Sequence, residues 1–147
     1  MRFLALLSAI ALFVITVAIA ATQIQEPLFP GDRATFVKDV NYPDGTEVKA
    51  GSKIVKTWRI HNRGMVAWKD RELRLAGETQ GFTVKSVPFS GNSTKDVDVS
   101  VELIVPKTPG QYKLTFKQWA KDADGKWKLA FPDRYRSGVY IEITVVK

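Results

Sequence analysis

The chain has 147 residues with no cysteine, one histidine, and 22 lysines and arginines against 15 aspartates and glutamates, a formal charge of +7. That length suits one domain of ordinary size plus a targeting segment, and a core of that size needs neither metal nor disulfide. The missing cysteines exclude a lipidated cysteine, thiol chemistry, disulfides and cysteine-based metal sites, and a lone histidine excludes a histidine cluster.

Residues 3 to 21 form an apolar run broken only by Ser8 and Thr16, preceded by Arg2 and followed by the polar TQIQEP. Two readings of it stay open. The small-x-small end Ala18-Ile19-Ala20 suits cleavage of a signal peptide. As a helix the run reaches about 28 Å against a hydrocarbon core of about 30 Å, so an uncleaved anchor fits too. The expected organisation is a signal peptide or membrane anchor over 1–20, a linker over 21–33 carrying Pro27, Pro30 and Gly31, and a folded domain over 34–147. The domain is then expected outside the cytoplasm, secreted or anchored in the cytoplasmic membrane, with residues 3–21 as the tether. A basic exported domain is attracted to acidic glycopolymers, lipid headgroups or acidic protein faces, and export takes it away from nucleic acid.

Strands and turns alternate from there on. Asp44-Gly45 and Ala50-Gly51 mark turns, and between Lys53 and Asn62 the residues Ile54, Trp58 and Ile60 share one face while Thr57, Arg59 and His61 share the other. Arg63-Gly64 turns the chain towards a strand with Trp68. Val97, Val99, Val101, Leu103 and Val105 line one side of the next clear strand, with Asp98, Ser100 and Glu102 between them. Pro109-Gly110 turns it into a partner with Tyr112, Leu114 and Phe116 inward. Asp124-Gly125 predicts a type I′ hairpin. Val139, Ile141, Ile143 and Val145 close the domain. Such spacing predicts an all-β, antiparallel sandwich, preceded by an N-terminal hydrophobic helix.

The block Phe36, Asp39, Pro43, Asp44, Gly45, Thr46, Gly51, Lys56, Trp58, Arg59, Asn62, Gly64 and Trp68 resembles the first half of the four-tryptophan (FW) immunoglobulin-like domain of the neighbour-of-BRCA-one autophagy receptor and its bacterial relatives. The second half of the chain departs from that family: its third tryptophan position falls on Phe116 and its fourth on Tyr140, while Trp119 and Trp127 sit elsewhere. The resemblance implies an immunoglobulin-like fold and recognition of a protein or peptide partner.

Nothing in the residues assembles into a catalytic centre. His61 reads as a solvent-facing strand residue, the serines lack a Gly-x-Ser-x-Gly elbow, and the carboxylates are scattered over turns and outward positions. Asp122-x-Asp124-Gly125 lacks the third ligand position and the distal glutamate of a calcium loop, which leaves a hairpin turn. Asn92-Ser93-Thr94 is a formal glycosylation sequon and equally a set of polar turn residues. Trp58 and Trp68 read as core. Trp119 is out of phase with the inward Tyr112, Leu114 and Phe116, and Lys126, Arg134 and Arg136 are interleaved with Trp119 and Trp127. Aromatic area beside cations could stack on and attract a ligand, or the two indoles could pair across the hairpin under lysine stems with no ligand at all. The sequence therefore predicts a non-catalytic, cofactor-free extracytoplasmic binding module with Trp119, Trp127, Lys126, Arg134 and Arg136 as its contact residues. The expected ligand is a protein or peptide; a cell-envelope anionic glycan, and a purely structural spacer role, are the alternatives.

Overall fold

The computed structural model describes residues 25–132 and 137–147. Among these residues all regular structure is strand: β1 (Ala34–Asp39), β2 (Thr46–Lys49), β3 (Lys53–Asn62), β4 (Trp68–Ala76), β5 (Thr83–Ser86), β6 (Phe89–Gly91), β7 (Asp96–Ile104), β8 (Gly110–Lys121), β9 (Trp127–Leu129) and β10 (Val139–Val146). One sheet runs β1-β3-β7-β5; the other runs β2-β10-β8-β4-β6, with β9 added beside β8. All pairings are antiparallel except that of β2 with β10. The expected N-terminal helix, the 1–20 segment and the tether over 3–21 fall outside the described residues.

The two sheets face one another across a core fed by period-two alternation. Ile54, Trp58 and Ile60 on β3, Val99, Val101 and Leu103 on β7, Leu114 and Phe116 on β8, and Val139, Ile141, Ile143 and Val145 on β10 are all buried. Trp58 is central, with no exposed surface, its ring 5.5 Å from that of Phe116 and its indole N–H donating to the Tyr140 carbonyl at 2.8 Å. Tyr140 itself points outward and is 40% exposed. Its hydroxyl donates to Asp44, whose carboxylate holds the phenol above its usual pKa range.

Two strands break the alternation. A register shift between Phe36 and Lys38 bulges β1 at Val37, and another between Trp68 and Arg71 bulges β4. The second decides what is buried: Trp68, Arg71 and Leu73 all face inward, although Trp68 and Arg71 are three residues apart. An inserted residue, with Asp70 at φ 46°, turns the strand to allow this. Part of the segment expected as a linker joins the domain. Leu28 N–H donates to the Ala130 carbonyl, Pro27 is buried, and Asp32 is fully buried.

The 122–126 hairpin differs from the expected type I′ turn. That turn needs positive φ at both central residues, and here Gly125 (φ 75°) has it while Asp124 does not. Asp122 N–H donates to the Lys126 carbonyl, so three residues form the loop, and the Asp122 carboxylate accepts from the amides of Asp124 and Lys126. Lys128 Nζ approaches its other oxygen at 2.8 Å. The Asp122 carboxylate, the first position of the apparent calcium loop, is thus occupied within the turn.

Candidate functional site

The residues of the N-terminal motif serve the framework. Lys56 is fully buried and each of its three ammonium protons finds an oxygen: Asp39 Oδ1 at 2.5 Å, the Asn41 carbonyl at 2.7 Å and the Tyr42 carbonyl at 2.9 Å. Arg59 forms a two-point pair with Asp98 on the outer face, which draws the Asp98 carboxyl below its usual range. Asn62 accepts from Gly64 N–H and donates to the Val66 carbonyl, closing the turn after β3. Gly64 lies against the 31–33 backbone so closely that a Cβ there would stand 2.5 Å from the Gly31 carbonyl oxygen. Trp68 donates to Asp32 at 2.7 Å.

Asp32 also anchors the second buried charge, accepting from Arg71 Nη2 at 2.6 Å. Gln118 accepts from Nη1 at 3.3 Å, and the rings of Trp68, Phe29 and Phe131 surround the guanidinium at 5.2 to 5.7 Å. Burial pushes the Arg71 pKa down and the hydrogen bond to Asp32 opposes the shift. Sequence alternation could not find this pair, because the β4 bulge puts Arg71 in phase with Trp68; the available signal was that Leu73 and Leu75 can face inward together with Trp68 only if a residue is inserted between them.

The residues expected at the binding site divide. Arg134 and Arg136 lie outside the described residues. Trp119 and Trp127 are both half-buried on the outer face of the six-stranded sheet, at diagonal positions in the β8–β9 pairing, where Trp119 faces Leu129 and Trp127 faces Lys121. Lys126 is exposed in the turn between them. The cation that covers the two indoles is Arg74 on β4, a residue the sequence reading missed. Its guanidinium carbon lies 5.1 Å from the Trp119 ring and 4.6 Å from the Trp127 ring, and its Nε donates to Glu72 at 2.9 Å. Lys121 Nζ lies 5.3 Å from the Trp127 ring. A recess of about 310 Å3 continues the same face, with Lys117, Thr115 and Tyr140 on its walls.

The opposite outer face has another character. On the four-stranded sheet Glu102 lies between Lys53 and Lys85, Arg59 pairs with Asp98, His61 Nδ1 meets Asp96 at 2.7 Å, and Thr57 bonds Ser100. Its ion pairs run from strand to strand across β3, β7 and β5. No group of three or more metal-ligating His, Asp or Glu side chains occurs among the described residues.

Comparison with known proteins sets the frame. A family profile described as the Ig-like domain from next to BRCA1 gene matches residues 41–145. Next to BRCA1 gene 1 protein of Rattus norvegicus is 34% identical over 103 residues, covering 62% of this chain and 10% of that protein. Protein ILRUN of Danio rerio is 33% identical over 97 residues, covering 65% of this chain and 30% of ILRUN. The chain thus matches a small part of these longer proteins. A solved CARDB domain of a Pyrococcus furiosus protein, crystallised with di-metal ions, superposes with a TM-score of 0.50 at 11% identity, covering 86% of this chain and 98% of that one, and shares the fold alone. The relatives overturn the extracytoplasmic, secreted or membrane-anchored placement expected from residues 3–21, since they are intracellular eukaryotic proteins. A basic start, an apolar run long enough to span a bilayer and a small-x-small end carried that expectation; among the described residues, which do not include 3–21, no helix is long and apolar enough to cross a membrane. With the profile spanning residues 41–145, and with Lys56, Trp58, Asn62 and Trp68 of the motif buried in the sandwich, the chain belongs to the family of the Ig-like domain from next to BRCA1 gene.

Proposed function

We propose that this domain is a non-catalytic protein-interaction module that contacts its partner through the outer face of the six-stranded sheet, around Trp119 and Trp127. The observation that carries the reading is the division of the four tryptophans: Trp58 and Trp68 are consumed by the core, whereas Trp119 and Trp127 lie on a solvent face beside Arg74, Lys121 and Lys126. Half-buried indoles bring large apolar area at low cost in side-chain entropy, the kind of surface that anchors protein contacts. Membership of the family supports a protein as the partner class. The folded unit we assign runs from about residue 27 to 147, since Pro27, Leu28 and Asp32 pack with the sheets.

The test is quantitative affinity capture with the wild-type chain and with the Trp119→Ala/Trp127→Ala double variant, its fold checked by near-ultraviolet circular dichroism. The reading expects partners held by the wild type to be lost from a folded double variant. An unchanged set of partners contradicts it, and an unfolded double variant assigns the indoles to hairpin packing instead.

A further inference from the structure

We infer that Arg74 is the ligand-reading residue of this face and that the segment it reads is an acidic stretch of a protein, bound through a side-chain carboxylate. The inference rests on the reading of the Trp119–Trp127 face given above and specifies what that face recognises. An arginine on a solvent-facing strand ordinarily samples many rotamers, and holding it still costs entropy. Arg74 is held by three contacts, the Trp119 ring, the Trp127 ring and Glu72, and the Glu72 contact uses only Nε. Its two terminal nitrogens have no hydrogen-bond partner among the described residues and are not among the buried unsatisfied donors. The side chain is 35% exposed. What remains is a planar, immobilised fork whose outward edge matches the two oxygens of a carboxylate.

Charge supports the same occupant. Lys121, whose Nζ lies 5.3 Å from the Trp127 ring, adds positive potential beside the stack where the carboxylate would sit, and the acid in contact with Arg74 is already turned to its Nε. On the opposite face each arginine, histidine or lysine of the β3–β7 ladder is matched by a carboxylate, which leaves no comparable unfilled donor edge there. The indoles beside the fork would cover the methylene groups of the glutamate or aspartate bound to it.

The experiment is calorimetric titration of the full chain with an N-acetylated, C-amidated hexaglutamate peptide, compared with hexaglutamine and with a heparin oligosaccharide of similar charge. The inference expects binding of hexaglutamate and not of hexaglutamine. Arg74→Lys, which keeps the charge and loses the fork, should weaken that binding about tenfold or more, because a two-point pair cannot be replaced by a point charge. The thermal unfolding midpoint of Arg74→Lys, measured alongside, should stay close to that of the wild type. Full affinity in a folded Arg74→Lys overturns the inference while leaving the face intact if the Trp119→Ala/Trp127→Ala variant still loses the peptide. Undiminished binding by that tryptophan variant instead removes the face itself. Arg74-dependent binding of heparin without binding of hexaglutamate would assign the fork to a glycan and overturn the claim.

Discussion

Lys56 and Arg71 are both buried in the sandwich, where an unpaired charge would cost far more than the fold can spare. Lys56 avoids that cost by donating to three oxygens, and Arg71 by its pair with Asp32. Removing Asp32 alone leaves the Arg71 charge uncompensated. Asp32→Ala should therefore lower unfolding free energy by about 3 to 5 kcal/mol in urea titration, whereas Asp32→Leu combined with Arg71→Met should recover most of the loss. Trp58→Ala makes a cavity beside Phe116 and should cost about 3 to 5 kcal/mol; a loss below half of that would contradict its central place in the core. At this scale the sequence was legible where period two held, as at Ile54, Trp58 and Ile60. It was silent at Arg71, where a bulge changes the phase, and at Arg74, whose ring contacts come from β8 and β9 neighbours that are remote in the chain.

The β8–β9 hairpin is the element that presents the two outward indoles, and Asp122 holds its turn. The Lys128 side chain, followed by the amide of Lys126, keeps the Asp122 carboxyl below its usual range. A carboxylate whose folded pKa lies below its unfolded value stabilises the fold above the unfolded pKa, and that stabilisation is lost as pH falls through the folded one. Hydrogen exchange of the Lys126 amide should accordingly speed up, relative to the intrinsic rate, as pH drops below the usual carboxylate range, and Asp122→Asn should remove that dependence. An amide whose protection is the same in both proteins across that range would show that the carboxylate does not hold the turn. The hairpin's existence was legible from Asp124-Gly125, yet its type was not, because a left-handed Gly125 serves a three-residue loop as well as a type I′ turn.

Across the molecule the two outer faces differ: one carries a ladder of ion pairs across β3 and β7, the other a surface around two indoles on which lysines and Arg74 outnumber the paired acids Glu72, Asp122 and Glu142. The immunoglobulin-like architecture was legible because strands, turns and the block around Trp58 agreed. Residues 3–21 were legible as an apolar run with a basic start and a small-x-small end, and the relatives correct what that pattern suggested about placement. If the basic face meets an acidic protein, affinity should fall as the Debye length shortens from about 10 Å at 0.1 M salt to about 3 Å at 1 M. Salt-independent affinity would mean that apolar contact alone holds the partner. The central claim, that two tryptophans build the core and two face the partner, is tested most directly by the four indole N–H resonances of the isotopically labelled chain, followed while a purified captured partner is added. The account predicts that the signals of Trp119 and Trp127 shift or broaden while those of Trp58 and Trp68, bonded to Tyr140 and Asp32, stay in place. Binding that leaves Trp119 and Trp127 unmoved would contradict it.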